Sequence, residues 1–427
     1  MSDAHEAQGG NVHTVTLDEV VTTVIMARVT DFFGFFVYGI ASALVFPQLF
    51  FPFLEPVTGT LAAFALFALA FVVRPFASAG GRWVQGKIGK TGKISIALLI
   101  LGTATVAIGL LPGYAEIGVL APVLLAGLRV LQGIGLGGSW DGLTLQLQNA
   151  APPGRKGIYA MVPQLGGPIG FIVAAALFYV LTGFLTEEEF LNYGWRFAFF
   201  AVMAVNVVSL FARIRLLQAD FGADAETFTS APYFETLRTQ WRPILFSTMI
   251  PLASYALFHM VTIFPLAYAL LYTDYAIDRI VLLQLIGAVL ACITCVLSGR
   301  FTDRYSRRRV LWGSIAMISV LCLTLPLLDT APGIYIICGF TVLGFAYGQA
   351  SAIVPNRYPK KYRYSGTAMS TNFSWIIGAA FAPLVGLSLT SMFGIWAAGL
   401  YLMSGVFVTG VALYLLDRQL ARKPVEG

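Results

Sequence analysis

The stretch that decides the fold covers residues 129–170 and reads RVLQGIGLGGSWDGLTLQLQNAAPPGRKGIYAMVPQLGGPIG. It starts inside a long apolar run, where Arg129 is charged and Gln132 is polar. A guanidinium in hydrocarbon is costly unless it faces a wet cavity or a partner, so a functional role is the first expectation. Glycines at 133, 135, 137 and 138 let a neighbouring helix or a ligand approach the backbone closely. A basic turn, PPGRKG at 152–157, then leads into a second apolar run. Together these features are typical of the wall of a transport pathway.

The composition of the chain indicates a membrane protein. Of its 427 residues, 58% are hydrophobic and only 11% are charged, whereas a soluble domain carries roughly 25% charged residues. The length accommodates about a dozen spans of ~20 residues with short connections. We therefore expect an all-α membrane protein with twelve transmembrane helices. Apolar windows place these helices at residues 23–50, 59–80, 94–111, 117–147, 157–184, 195–217, 243–271, 278–299, 309–328, 332–355, 365–391 and 394–416.

Positive charge is concentrated in four hairpins, at residues 81–93, 154–156, 300–309 and 357–363. These hairpins hold fifteen lysines and arginines and one acid, Asp303, whereas the loops on the other side are mainly acidic. The positive-inside rule therefore places the hairpins and both termini in the cytoplasm, for a multi-pass protein of the bacterial inner membrane. The net charge of +6 is explained by this topology, so it does not indicate a nucleic-acid partner.

A long polar stretch at residues 218–242 divides the chain into two halves of six predicted helices each. The halves repeat some of their basic motifs, since RKG at 155–157 recurs as RYSG at 363–366. Paired halves with a binding site between them are the architecture of alternating-access carriers. The predicted organisation is a cytoplasmic tail at 1–22, an N-terminal bundle at 23–217, a cytoplasmic linker at 218–242, a C-terminal bundle at 243–416 and a cytoplasmic tail at 417–427.

The sequence offers little for covalent or metal chemistry. Cys292 and Cys295 have the spacing of a metal or redox pair, but no second pair or neighbouring histidine completes a site. No nucleophile–base pair, nucleotide-binding loop or metal cluster stands out in the sequence. We therefore expect a protein that is not an enzyme, that uses no cofactor or metal, and that works as a monomer in the lipid bilayer.

Two motifs resemble those of the major facilitator superfamily. GRFTDRYSRR at residues 299–308 is similar to its cytoplasmic loop motif, and RVLQGIG at 129–135 is similar to its fourth-helix motif. More narrowly, the chain resembles the metabolite:proton symporter family, which includes carriers of 2-oxoglutarate, citrate, shikimate and proline or betaine. The strings that carry this resemblance are FFVYG at 35–39, FFP at 50–52, RP at 74–75, LQGIGLGG at 131–138, APPGRKG at 151–157, GWR at 194–196 and RYSG at 363–366. The resemblance covers nearly the whole chain, and it implies two pseudo-symmetric six-helix bundles and proton-coupled uptake.

The chain departs from the family pattern at positions that matter for proton coupling. The first helix keeps one of two usual carboxylates as Asp31, and Gly34 stands at the other position. In the fourth helix Ser139 stands where the family has Glu, and Asp141 follows two residues later, about 200° around an ideal helix. In the first-half loop motif Gly86 stands where an Asp is usual.

Two acids are candidates for proton coupling. Asp31 is the only acid in the core of the first predicted helix; its alternative roles are a structural partner for Arg129 or a helix-end acid in water. Asp141 is the second candidate, and its alternative role is a salt bridge near the cytoplasmic end of the pathway.

The predicted substrate site combines one cation with polar and aromatic side chains. Arg129 can hold a carboxylate through two parallel hydrogen bonds, although a structural role is the alternative. His259 lies one helical turn after Tyr255 and is a possible proton shuttle, or else a hydrogen-bonded core histidine. For the other polar and aromatic candidates, helix–helix bonding or ordinary packing is the alternative. The full set is Tyr38, Arg129, Gln132, Trp140, Gln164, Tyr255, His259, Gln284, Asn372 and Trp375.

The loop motif of the second half predicts a conformational gate. By resemblance, this loop holds the inward gate closed through charge pairs with a neighbouring helix end. The residues predicted to form it are Gly299, Asp303, Arg304 and Arg307.

The sequence thus favours a secondary active transporter that imports a small organic anion or zwitterion by proton symport with alternating access. Two alternatives stay open. GGPIG at residues 166–170 resembles a fifth-helix antiporter motif, which favours proton-coupled efflux of drugs or metabolites. The missing family carboxylates are instead compatible with a transporter-like sensor that binds its ligand without moving it.

Overall fold

The computed structural model describes residues 17–139, 145, 147–148, 150–218 and 231–422, and their regular structure is entirely helical. We number the main helices in chain order. They are α1 (Leu17–Leu44), α2 (Pro56–Gly81), α3 (Trp83–Leu110), α4 (Leu120–Gly138), α5 (Lys156–Phe184), α6 (Arg196–Gln218), α7 (Tyr233–Met249, continued by Leu252–Thr262 and Phe264–Tyr272), α8 (Ile277–Arg304), α9 (Arg307–Cys322), α10 (Pro332–Ala350), α11 (Lys360–Phe393) and α12 (Ile395–Arg422).

The prediction of a twelve-helix membrane protein is confirmed. Among the described residues, nine helices are long and apolar enough to cross a membrane, and two bent pairs, in α6 and α7, raise the number to eleven. The twelfth helix is α9, which has 16 residues and is followed by the short 3-10 helix Leu325–Leu328. Each helix lies where an apolar window placed one.

The seventh helix begins earlier than predicted. Its first segment starts at Tyr233, inside the stretch 218–242 that the sequence predicts to be a linker. The segment is amphipathic and has a mixed composition there, so an apolar window misses it. A kink at Gln240 and a bend of 44° before Leu252 then turn the chain into the apolar part of the helix. The division into an N-terminal and a C-terminal bundle stays a prediction.

Glycines of α4 bring three helices of the first half together. A Cβ at Gly133 would lie 2.7 Å from the carbonyl oxygen of Ala70 on α2, and one at Gly135 would lie 2.8 Å from that of Ala97 on α3. Any larger residue would separate these backbones, so two faces of α4 are reserved for close helix contacts. At Gly133 and Gly135, the glycine run of α4 therefore allows close helix packing.

Two helices are enclosed by protein along much of their length. Every residue from 35 to 47 on and just after α1 is buried, and so is every residue from 250 to 269 on α7. These stretches meet where the side chain of Ile263 packs against Gly39, with its Cδ1 2.6 Å from the position of a Cβ there. The protein is therefore closed between these helices, at the end away from the basic hairpins.

Candidate substrate cavity and gate

A central cavity between helices of both halves is open to solvent, and it contains about 1040 Å³ of empty space when the open solvent within it is counted. Its described lining comes from α1, α2, α4, α5, α7, α10 and α11 and from the segments that follow α4 and α10. It extends from Phe71 and Trp375 to Gln148 and Pro355, which lie next to the basic hairpins at 154–156 and 357–363. The cavity therefore reaches towards the side that is predicted to be cytoplasmic.

Three charged side chains of the described residues face this cavity. Arg28 and Asp31 on α1 form an ion pair with an Nη1–Oδ2 distance of 3.5 Å, and their side chains are 23% and 15% exposed. Arg74 on α2 lines the same cavity, and its buried Nε has no hydrogen-bond partner among the described residues. Among the described residues, two guanidiniums and one carboxylate thus face a common space, and these three groups together carry a net positive charge. Such a site can accept a carboxylate through charge-assisted hydrogen bonds.

Arg28 and Arg74 are not among the site residues that the sequence predicts. Arg74 was noted only as part of a family string, and Arg28 stands near the start of the first predicted span. The available signal was the one used for Arg129, namely an arginine inside an apolar run. Asp31, in contrast, is one of the functional acids that the sequence predicts.

The inner end of the cavity is aromatic. Trp375 on α11 stacks on Tyr255 of α7, with ring centroids 4.5 Å apart, and lies parallel to Phe71 of α2 at 6.0 Å. Phe32 and Tyr347 also line this end. Rings from both halves therefore form one apolar surface beside the two guanidiniums. The predicted residues Tyr255 and Trp375 are brought together there.

Arg129 lies outside the described lining of this cavity. It is 1% exposed, and its Nε and Nη2 donate to the carbonyl oxygen of Phe67 at 3.3 and 2.9 Å. Its Nη1 donates to Gln132 at 2.9 Å, and Gln132 donates onward to Thr105 at 2.8 Å. The ring of Tyr38 lies 3.8 Å from the guanidinium carbon. In this conformation Arg129, Gln132 and Tyr38 bind one another and connect α1 to α4, so the structural alternative accounts for their contacts. Their predicted role in substrate binding stays a prediction.

Asp31 connects this buried network to the central cavity. A smaller space of about 290 Å³ lies within the first half and is lined by Asp31 together with Arg129, Gln132 and Asn206. Asp31 also lines the central cavity. It therefore borders both spaces, one of which contains Arg28 and the other Arg129.

His259 and Gln284 are buried behind the aromatic end of the cavity. His259 is fully buried among the rings of Phe35, Phe67 and Phe258, at centroid distances of 5.2 to 5.4 Å. Gln284 donates to the carbonyl oxygens of residues 261 and 262 at 3.0 and 2.9 Å. Pro265 lacks the N–H that would normally bond to residue 261, so Gln284 satisfies a carbonyl freed by the break in α7.

Two other predicted amides join the two halves. Gln164 on α5 lines the cavity and donates to Ser351 beyond α10 at 3.0 Å. Asn372 on α11 donates to Ser78 on α2 at 3.2 Å, and Ser78 donates to the carbonyl oxygen of Gly137 at 3.0 Å. These bonds connect the halves beside the cavity, and they must break if the halves move apart. The candidates Trp140 and Asp141 lie outside the described residues.

Asp303 at the end of α8 caps the first turn of α5. Its carboxylate oxygens accept hydrogen bonds from the backbone N–H groups of Gly157 and Ile158, at 2.5 and 3.1 Å. Backbone N–H groups at a helix N-terminus are unpaired within the helix and carry partial positive charge, so a carboxylate is well suited to them. A Cβ at Gly157 would lie 2.5 Å from the carbonyl oxygen of Gly299, so this close approach requires glycine.

Two further side chains of the second half hold the same turn. Gln349 donates to the carbonyl oxygen of Gly157 at 2.9 Å, and Arg307 donates weakly to that of Lys156 at 3.4 Å and to Gln349 at 3.3 Å. Gln349 was not identified from the sequence. Arg304 is exposed, with its guanidinium carbon 5.5 Å from the ring of Tyr305, and it takes no part in the hydrogen bonds described for this turn. Three of the four predicted gate residues thus lie at one contact between the halves.

Asp303→Asn is expected to lower the transport rate about fivefold while leaving ligand affinity nearly unchanged. An amide presents one oxygen to two N–H donors and loses the charge that strengthens these bonds, a loss of about 1 kcal/mol. That free energy corresponds to roughly a fivefold change in an equilibrium between two conformations. Exchange rates in liposomes and ligand affinity in detergent measure the two quantities. Arg304→Gln is the matched control, because it changes a charge of the same motif outside the contact. Equal losses of rate and affinity in Asp303→Asn would contradict a purely conformational role.

The family model of the Major Facilitator Superfamily matches residues 32–376. The inner membrane metabolite transport protein YhjE of Escherichia coli K12 is 34% identical over 411 residues, which cover 93% of each chain. The shikimate transporter of the same organism is 28% identical, with 92% of this chain and 93% of that protein covered. The proline/betaine transporter of Salmonella typhimurium is 25% identical, with 96% and 85% covered.

The fold of this chain is shared by solved structures of other proteins. The proton:xylose symporter XylE bound to 6-bromo-6-deoxy-D-glucose superimposes with a TM-score of 0.69 at 14% identity, over 94% of this chain and 95% of that chain. At this level of identity, the match shows that the two chains share a fold.

Proposed function

Because the chain belongs to the major facilitator superfamily, we propose that it imports a small organic anion or zwitterion by proton symport with alternating access. The observation that carries the proposal is the pair of guanidiniums, Arg28 and Arg74, that face the central cavity beside Asp31, the one carboxylate of its described lining. A substrate with a carboxylate balances this excess of positive charge. The chain is a membrane transport protein related to metabolite carriers, since its family and relatives that match over nearly their whole length are transporters.

The substrate carboxylate is best accommodated between Arg74 and Arg28. A guanidinium presents two parallel N–H donors to a carboxylate, and the Nε of Arg74 has no hydrogen-bond partner among the described residues. Arg28, in contrast, is already paired with Asp31, at a distance of 3.5 Å. Arg74 therefore carries most of the proposed binding.

The remainder of the substrate faces the aromatic end of the cavity. Trp375, Tyr255 and Phe71 offer ring faces and edges to an apolar or ring-shaped group. A positively charged group could also contact ring faces there, but the two guanidiniums in the same cavity would repel it. We therefore favour an anion over a zwitterion, and a carboxylate with an apolar portion over a compact polar acid.

The proposed transport cycle uses the two halves as moving bodies. The cavity reaches one side of the molecule, whereas the buried stretches 35–47 and 250–269 close the other. Release of the contacts of Asp303 with α5, and their reformation, would allow the halves at 23–217 and 243–416 to rock around the substrate. We place both termini in the cytoplasm, since the basic hairpins lie on that side by the positive-inside rule.

Proton-coupled efflux is the second candidate function, because GGPIG at 166–170 begins the main part of α5 and packs on α1. A Cβ at Gly166 would lie 2.3 Å from Cβ of Arg28, and one at Gly170 would lie 2.7 Å from that of Phe32. The motif thus packs directly against Arg28, which lines the cavity. The direction of transport in cells distinguishes the two functions, because an exporter lowers accumulation of its ligand and an importer raises it.

A thermal-stability screen of the purified protein tests the proposed binding. The panel comprises mono-, di- and tricarboxylates, ring-bearing hydroxy acids and betaines. A ligand at 100 times its dissociation constant stabilises the folded state by about 2.7 kcal/mol, which is readily measured. We expect stabilisation by carboxylates that carry an apolar or cyclic portion, followed by counterflow of the same compound in liposomes. If no compound of the panel stabilises the protein, the proposal of an anionic substrate is contradicted. If a compound binds but shows no counterflow, a transporter-like sensor is favoured.

A further inference from the structure

The first segment of α7 presents an apolar face outside the protein. On Tyr233–Met249, Phe234 is 83% exposed, Leu237 40% and Trp241 53%. Their spacing of three and four residues places them along one side of the segment, although the kink at Gln240 bends it there. Exposed apolar residues at such a spacing usually meet another apolar surface.

The opposite face of this segment is already engaged by the protein. Glu235 accepts hydrogen bonds from Lys361 at 2.7 Å and from Tyr362 at 3.1 Å, and Thr236 is fully buried. Just before the segment, the backbone N–H of Ala231 donates to the carbonyl oxygen of Lys361 at 3.0 Å. The segment is therefore fixed to the beginning of α11, and only its outer face lacks a cover among the described residues.

The position and charge of the outer face indicate what covers it. The segment leads, after two residues and a bend of 44°, into Leu252–Thr262 inside the membrane, so it lies where the bilayer meets water. Arg238 and Arg242 are exposed beside the apolar side chains, and the guanidinium carbon of Arg242 lies 5.2 Å from the ring of Trp241. A face with apolar side chains and basic residues is typical of helices that lie in the surface of an anionic bilayer.

We propose that Phe234, Leu237 and Trp241 insert into the lipid surface on the side of the basic hairpins, and that Arg238 and Arg242 bind the phosphates of anionic lipids there. The long arginine side chains can keep their charges at headgroup level while their stems pack on the lipid. Because the inner face of the segment holds Lys361 and Tyr362, this lipid surface anchors the start of α11, the helix that carries Trp375 into the cavity.

The test measures tryptophan quenching by brominated lipids in liposomes that contain the full chain, and it needs no substrate. The contribution of Trp241 is the difference between the wild-type protein and Trp241→Phe. We expect brominated lipid to quench this contribution, at least twofold more strongly when the brominated lipid is phosphatidylglycerol than when it is phosphatidylcholine. Arg238→Gln together with Arg242→Gln is expected to remove that preference.

A matched control comes from Trp396 on α12, which is 63% exposed at the other end of the molecule. Its contribution, obtained from Trp396→Phe, should be quenched equally by the two brominated lipids. Quenching of Trp241 by aqueous acrylamide but not by brominated lipid would overturn the proposal. Protection of Trp241 from both quenchers would also overturn it, since a second copy of the chain would then cover this face. Equal quenching of Trp241 by both lipids would overturn the assignment of Arg238 and Arg242 to anionic headgroups.

Discussion

Arg74→Gln is expected to weaken binding of the carboxylate substrate by about thirtyfold or more. Removing one partner of a buried, hydrogen-bonded charge pair costs 2–5 kcal/mol or more, and every ~1.4 kcal/mol is a factor of ten in affinity. Arg74 faces the cavity, and its buried Nε has no partner among the described residues, so the substrate carboxylate would supply the guanidinium with a charged partner. The measurement is the dissociation constant of a stabilising ligand, obtained by titration of wild-type and variant protein.

The matched control for this prediction is Arg129→Gln. It removes the same group from a buried position in the first half, but the guanidinium there is bound by the carbonyl of Phe67 and by Gln132. We expect Arg129→Gln to lower the thermal stability of the unliganded protein, because it breaks this network, and to retain ligand affinity within about threefold. If Arg129→Gln instead loses binding and Arg74→Gln keeps it, the carboxylate binds at Arg129.

The contrast between these arginines shows where sequence reasoning reaches its limit. An arginine in an apolar run signals a costly charge, and that signal is equally present at positions 74 and 129. Successive residues of a helix differ by 100° in direction, so the side that each arginine faces depends on how α2 and α4 are rotated. That rotation follows from contacts between distant segments, such as Gly133 against Ala70. The sequence therefore shows that a charge needs a partner but not whether the partner is a substrate.

The helical order, in contrast, follows from local composition. Each span is an apolar window that must satisfy its own backbone in lipid, so twelve windows give twelve helices. The start of α7 departs from its apolar window, and the cause is also local. The first segment of α7 is amphipathic, so an apolar window starts ten residues after the helix does, at 243 instead of Tyr233. Gln284, which the sequence predicts to contribute to the substrate site, donates to two carbonyls at the break in α7 before Pro265, and composition does not reveal this contact between two helices.

Asp31→Asn is expected to abolish uphill accumulation of the substrate while exchange down a gradient continues. Asparagine keeps the size and polarity of the side chain but cannot bind and release a proton, so the energetic link to the proton gradient is lost. Asp31 is placed for such a role because it faces the central cavity next to Arg28 and also borders the space that contains Arg129. A carboxylate that borders two spaces changes the charge next to both when it takes up a proton. The proposed substrate anion and the proton would therefore favour each other's binding.

Accumulation against a gradient and exchange between equal concentrations are measured in the same liposomes, with and without an imposed proton gradient. Asp417→Asn is the matched control, since its carboxylate pairs with Arg308 at 2.8 Å, away from the cavity. Both activities should survive in the control. In Asp31→Asn, exchange should stay within about threefold of the wild-type rate, whereas the gradient should no longer raise the final substrate level. If Asp31→Asn still accumulates substrate to the wild-type level, the proton is carried elsewhere, because a side chain that cannot titrate cannot transmit a proton gradient.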